Sequence, residues 1–181
     1  MKSIGVFCGA RGGERPSYVE AAAEVGTLLA GEGITLVYGG GHVGMMGVMA
    51  DAALAAGGGV IGVIPRDLME SELAHERLSK LHVVDGMHER KALMGALSDA
   101  FLALPGGFGT LEELFEVLTW TQLGVQRKPS CLVKVEGFFD SLIRHADHAV
   151  DEGFLSSEDR ALMQMAATAP EALTVLRNAS A

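Results

Sequence analysis

The chain has 181 residues, 49% of them hydrophobic and 20% charged, which suits one globular domain with a substantial core and excludes a disordered chain. Its net charge of −9, with no basic run, argues against nucleic acid or an anionic membrane surface as a partner. No stretch approaches the ~18 uninterrupted apolar residues of a membrane span, and the apolar run Ile4–Ala10 is too short for a signal segment.

Strand-like and helix-like segments alternate along the chain. Ile4–Cys8 reads as a strand, and Pro16–Ala30 as a helix with proline in its first turn. Ile34–Tyr38 is a strand, Val43–Ala56 a helix, and Val60–Ile64 a strand ending at Pro65. Residues 66–80, with Glu70, Glu72, His75 and Glu76, read as a short helix or a loop. Leu81–Val84 is a strand, Met87–Leu97 a helix, Phe101–Leu104 a strand and Leu111–Leu123 a helix. Cys131–Val135 is expected to be the last strand, with Phe138–Val150, Ser157–Ala167 and Pro170–Asn178 as closing helices. The strands are continuous apolar runs, as expected when both faces of a sheet are covered. The fold class is α/β: a single Rossmann-like, doubly wound parallel sheet with helices on both faces, one domain over residues 1–181. Cys8 and Cys131 sit inside strand patterns without metal-ligand spacing, and read as reduced core residues of a cytoplasmic protein.

Ligands of such a sheet bind beyond the carboxyl ends of its strands, where this chain places four notable loops. They are CGARGG (8–13), GGGHVGMMG (39–47), GMHERK (86–91) and PGGFGTLEE (105–113). The last carries the most information. A strand, a glycine-rich turn and a helix start present bare backbone N–H groups and the positive end of a helix dipole, a cradle for phosphate. Glu112, Glu113 and Glu116 follow at once and, at about 100° per residue, share one sector of the helix. Leu111, Leu114, Phe115, Val117 and Leu118 make the opposite, core-facing stripe. A carboxylate cluster beside a phosphate cradle points to chemistry on a phosphorylated small molecule. The plainer alternative for Glu113 is a capping box with Thr110.

Arg90 falls in the middle of the apolar stripe formed by Met87, Leu93, Met94 and Leu97. A buried guanidinium cannot lose its proton and needs an anion, either a substrate phosphate or a carboxylate such as Glu113; Lys91 adds a second positive charge nearby. The glycine turn at 39–42 can approach a phosphate or ribose, yet no acidic residue ends the following strand, which disfavours NAD. His42 reads as an exposed loop residue, and His75, His82, His88, His145 and His148 as solvated or capping residues with no metal-ligand constellation. Trp120 either lines a pocket or packs at a subunit interface.

VYGGGHVGMMG (37–47), MHERK (87–91) and PGGFGTLEE (105–113) together resemble the LOG (Lonely Guy) family of cytokinin riboside 5′-monophosphate phosphoribohydrolases, long labelled lysine decarboxylases. The likeness runs from Ile4 to about Phe154. It implies Arg90 and Glu113 as catalytic residues. It implies nucleotide contacts at Lys91, at Gly106, Gly107, Phe108, Gly109, Thr110, Leu111 and Glu112, and at Thr119, Gly40, Met87 and Glu72. Ala10 departs from the pattern, since relatives usually carry a serine after Cys-Gly. The implied substrates are cytokinin riboside monophosphates and AMP, cleaved to free base and ribose 5-phosphate by a homodimer without metal or organic cofactor. A true lysine decarboxylase would need pyridoxal phosphate on a lysine, with Lys91 and Lys128 the nearest candidates. A carrier of nucleotide or cofactor on the same fold is the other alternative.

Overall fold

The computed structural model describes residues 1–69 and 72–180. Seven strands form one sheet: β1 (Ser3–Phe7), β2 (Thr35–Tyr38), β3 (Val60–Pro65), β4 (Lys80–Val84), β5 (Ala100–Ala103), β6 (Ser130–Val133) and β7 (Met163–Ala166). Their order is β4-β3-β2-β1-β5-β6-β7 and every pairing is parallel. The chain winds outward from β1 to β4, then returns to lay β5 beside β1, with Gly5 opposite Phe101. That reversal opens a crevice over the carboxyl ends of β1 and β5.

Side chains alternate across the sheet and so build two cores. Ile4, Val6, Leu36 and Val60 pack beneath α1 (Pro16–Gly31), α2 (Gly44–Ala55) and α7 (Ala169–Ala179). Phe7, Val37, Val63, Phe101 and Leu132 pack beneath α3 (Met87–Leu97), α4 (Phe108–Gln122) and α5 (Asp140–Asp151). Phe7 and Phe101 stack with ring centroids 5.6 Å apart, joining the two strands that border the crevice. No helix among the described residues is long and apolar enough to cross a membrane.

Several sequence expectations give way here. The segment expected as one helix over 157–167 divides into α6 (Ser157–Ala161) and β7, so Cys131–Val135 does not hold the last strand. The open edge of β6 supplies the reason: Met163–Ala166 completes backbone bonds there that helical propensity cannot match. Helix α4 begins at Phe108, three residues early, because Gly107 takes the extended N-cap conformation. Thr110 therefore lies inside the first turn, buried, and the capping box with Glu113 does not form. Phe115 leaves the core stripe and is 43% exposed. Among the described residues of 66–80, only Arg66–Leu68 is helical, as a 3₁₀ turn; Glu70 lies outside the described residues.

Helices α1 and α2 meet at Gly26, where a methyl group would overlap the carbonyl oxygen of Met49 and stand 3.0 Å from the Ala53 nitrogen. Alanine for glycine inside a helix ordinarily stabilises by about 1 kcal/mol. At Gly26 the obstacle is backbone, which cannot rotate away, so Gly26→Ala is expected to cost roughly 1–3 kcal/mol and lower the melting temperature by several degrees. A thermal melt in which the variant gains stability would disprove this contact as the limit on helix approach.

Candidate active site

A cleft of about 580 Å³ opens at the switch point between β1 and β5, within the range of small-molecule sites. The loops after β1 and β5 and the first turns of α3 and α4 converge on it, joined by Met45 and Met46 at the start of α2. Each follows a strand end, so the convergence comes from parallel topology rather than from proximity in sequence.

Arg90 is 5% exposed and lines this cleft. Its Nε donates to the carbonyl of Val63 at 3.1 Å, and Nη2 donates to the carbonyl of Gly39 at 2.8 Å. Nη2 also meets the Glu72 carboxylate at 3.0 Å, and Nη1 lies 3.7 Å from the Met87 sulfur. The anion that a buried arginine requires is thus Glu72, not Glu113. A side chain at residue 39 would overlap Nη2, so glycine is what lets the strand end approach the guanidinium.

Glu113 lines the cleft from α4, half-buried. Burial pushes its carboxyl up to about 7; Arg90 opposes the shift, while Glu112 and Glu72 add to it. The three glutamates expected to act together are separated. Glu112 and Glu116 both pair with Lys91, the latter at 3.0 Å, and this triad lies outside the cleft. Lys91 is held charged: burial works against it, and the two glutamates outweigh burial.

The PGGFGT segment turns into the start of α4, as its glycines anticipated. Gly107 caps α4 without any side-chain cap bond, and Gly107, Phe108 and Gly109 are exposed around the cleft. The first N–H groups of the helix therefore remain available to a bound anion.

Of the residues marked in the sequence, Glu72, Met87, Arg90, Gly106, Gly107, Phe108, Gly109, Thr110 and Glu113 line the cleft. Lys91, Leu111, Glu112, Thr119 and Gly40 do not. Thr119 faces a separate groove of about 270 Å³ and donates to the carbonyl of Phe115. Gly40, at φ 79°, packs against Ile64 and Leu81. Lys128 donates to the carbonyl of Gly95 at 2.6 Å. With Lys91 in its glutamate triad, neither lysine is placed for a Schiff base in the cleft.

Two features carried no motif signal. Tyr18 and Phe138 line the cleft mouth, edge to face with centroids 5.8 Å apart. Each falls in a segment expected as helix, Pro16–Ala30 and Phe138–Val150, with no motif around it. His42, Asp51 and His75 have ligand-type atoms within 4.8 Å of one another; His42 is exposed as expected, while the burial of His75 corrects the expectation of a solvated residue outside any metal-ligand constellation. Their spacing along the chain conceals the cluster, because the fold brings them together from a turn, a helix and a loop. Trp120 packs over Gly95 on the core of the α3–α5 face, so its own chain already covers part of it.

Residues 46–176 match the family described as possible lysine decarboxylase. Cytokinin riboside 5′-monophosphate phosphoribohydrolase LOG7 of Arabidopsis thaliana is 50% identical over 171 residues, covering 94% of this chain and 79% of that one. The enzyme LOG of Oryza sativa subsp. japonica, of the same description, is 48% identical, covering 94% of this chain and 71% of its own. Among solved structures, the molybdenum cofactor carrier protein of Chlamydomonas reinhardtii superposes with a TM-score of 0.75 at 22% identity, over 98% of this chain and 97% of that one. At that identity the likeness is one of fold.

The raised pKa of Glu113 fixes a stability signature. The folded chain holds this proton more tightly than the unfolded chain, whose ordinary value is 4.5. Below that pH the carboxyl is neutral in both states and burial costs nothing. As pH rises through about 7 the folded protein must carry a buried charge, and stability falls. Glu113→Gln should melt with the wild type at pH 5 and above it at pH 8, by on the order of 2 kcal/mol. Parallel melting curves at the two pH values would contradict the burial of this charge.

Proposed function

We propose that this chain, which belongs to the LOG family of phosphoribohydrolases, hydrolyses the N-glycosidic bond of cytokinin riboside 5′-monophosphates, and of AMP, to free base and ribose 5-phosphate. The observation that carries the reading is the meeting of Arg90, Glu113 and the uncapped start of α4 in one cleft. The 5′-phosphate would bind the N–H groups at the start of α4, anchoring the ribose at a fixed distance from the two charged side chains.

Breaking the bond between C1′ and the base nitrogen sends its electron pair to the base and leaves an oxocarbenium-like ribose. Glu113, ionised, would stabilise that positive charge and take a proton from the water that attacks C1′. A carboxyl near pH 7 in its resting affinity is matched to that exchange. Arg90 cannot act as a base, and Val63, Gly39 and Glu72 hold its orientation. Its role would be to stabilise developing negative charge on the leaving base or on the phosphate. The catalytic steps use protein side chains and water alone. Lys91 and Thr119 would support the site from outside it. We read residues 1–181 as one nucleotide-binding domain and, from the buried free thiols of Cys8 and Cys131, as cytoplasmic.

The assembly proposed is a homodimer. Phe115, Leu123, Val125 and Phe154 are exposed, the last at 88%, and Phe115 and Phe154 flank the apolar groove between α4 and α5. A second copy covering them would bury surface that a monomer leaves in water. Phe154→Asp is expected to shift the sedimentation coefficient toward that of a monomer. A wild type that sediments as a monomer would refute the assembly.

Turnover separates an enzyme from a carrier. Purified protein should release adenine from AMP and the substituted base from isopentenyladenosine monophosphate. Glu113→Gln should lower kcat by on the order of 10²-fold or more, and Arg90→Ala should also lower it. If Arg90 meets phosphate, the same substitution weakens the 5′-monophosphate far more than the free nucleoside. Binding of both nucleotides without base release over hours would establish the carrier instead, and wild-type turnover in Glu113→Gln would end the catalytic assignment.

A further inference from the structure

The segment Glu72–His75 is laced to the glycine turn after β2. The His42 N–H donates to the carbonyls of Glu72 at 3.0 Å and Leu73 at 2.9 Å, and the His75 N–H donates to the carbonyl of Gly40 at 3.0 Å. Gly41 and Ala74 form an antiparallel bridge between these bonds. Leu73 sits at φ 46°, a left-handed conformation that a leucine adopts only when its neighbours impose it. This strip connects two groups. At one end the Glu72 carboxylate meets Arg90, whose Nη2 also bonds the Gly39 carbonyl of the same turn. At the other end lies the cluster of His42, Asp51 and His75.

Asp51, on α2, has one carboxylate oxygen 3.0 Å from His42 Nε2 and the other 3.3 Å from His75 Nε2, with the Arg77 guanidinium against the latter oxygen. His75 is 1% exposed. The Arg77 backbone N–H, which can only donate, points to His75 Nδ1 at 3.2 Å. Nδ1 is therefore the unprotonated nitrogen and Nε2 carries the proton toward Asp51. That tautomer leaves no lone pair on Nε2 for a metal ion, so the cluster is a hydrogen-bonded clasp. Burial and the neighbouring His42 keep His75 neutral against the pull of Asp51, with Arg77 acting in the same sense. Burial raises the Asp51 carboxyl, and the hydrogen bonds of both histidines outweigh it and hold it ionised.

The geometry points to Asp51 and His75 as positioning residues for the hydrolytic site: by clasping the 72–75 strip onto the glycine turn they hold the Glu72 carboxylate on Arg90. This rests on the nucleotide-hydrolase reading of the cleft. Neither residue lines that cleft, so neither touches substrate; both act through Glu72. A neutral His75 suits the task, because a second proton would fall on Nδ1 and set two N–H donors against each other.

The test is a double-mutant cycle between the clasp and Glu72, read in kcat and KM for AMP and, independently of chemistry, in AMP affinity by calorimetry. His75→Ala and Asp51→Asn should each lower turnover about 10-fold or more, the loss expected when a supporting group is removed. His75→Gln, whose amide N–H can still reach Asp51, should recover most of it. The losses from His75→Ala and Glu72→Gln should not multiply: the double variant should fall close to Glu72→Gln alone. A merely structural role would lower the melting temperature and leave the two losses multiplicative, which would overturn the proposal. If the wild type releases no base, the hydrolase reading has failed, and the cycle in AMP affinity still decides the clasp. A rise in melting temperature with added Zn²⁺ that Asp51→Asn abolishes would make the cluster a metal site and equally overturn it.

Discussion

A guanidinium that cannot shed its proton, enclosed at the floor of a cleft, constrains much of this structure. Removing such a charge from water is tolerable only when fixed acceptors surround it. Here they come from three places the chain reaches separately: the carbonyl of Gly39 at the end of β2, the carbonyl of Val63 within β3, and the carboxylate of Glu72. Two of these are backbone groups from neighbouring parallel strands, and the approach at Gly39 is open because that residue has no side chain. The arginine consequently binds the sheet edge, α3 and the 72–75 strip into one unit, and its orientation is set before any ligand arrives. Preorganisation of this kind lets a charged group act without reorganising during a reaction.

The two acidic residues of the cleft illustrate how environment divides one functional group into two roles. Glu72 is satisfied by Arg90 and belongs to the framework. Burial raises the affinity of Glu113 for a proton toward neutrality, and the opposing charge of Arg90 does not offset it. The neighbouring Glu112 and Glu116 are held by Lys91 on the outer side of α4. One turn of helix thus separates an ion pair that anchors α3 to α4 from a carboxyl suited to proton transfer.

Topology then decides where these groups meet. Because β5 returns beside β1, the start of α4 stands over the same crevice as the loop after β1 and the start of α2. The uncapped helix start, Arg90 and Glu113 therefore line one cleft. The fold is shared with a molybdenum cofactor carrier at 22% identity, so what distinguishes this chain is the side chains placed around a common crevice.

Much of this was legible in the residues themselves. The continuous apolar runs specified a parallel sheet, the start of α3 and the position of β3 followed from local pattern, and PGGFGT marked a glycine-rich turn into a helix, because these are short-range consequences of side-chain periodicity and glycine. An arginine in an apolar stripe announced that it needed an anion. Which anion was beyond reach, since Glu72 meets Arg90 through a loop whose conformation is imposed by the turn it bonds to. The same holds for β7, where helix-favouring residues form a strand because an open sheet edge needs hydrogen-bond partners. It holds as well for His42, Asp51 and His75, residues of a turn, a helix and a loop with no common spacing. Local chemistry determined the elements and the glycine-rich turn before α4; long-range hydrogen bonding and the burial of charge, which exist only once the chain is folded, decided the partners.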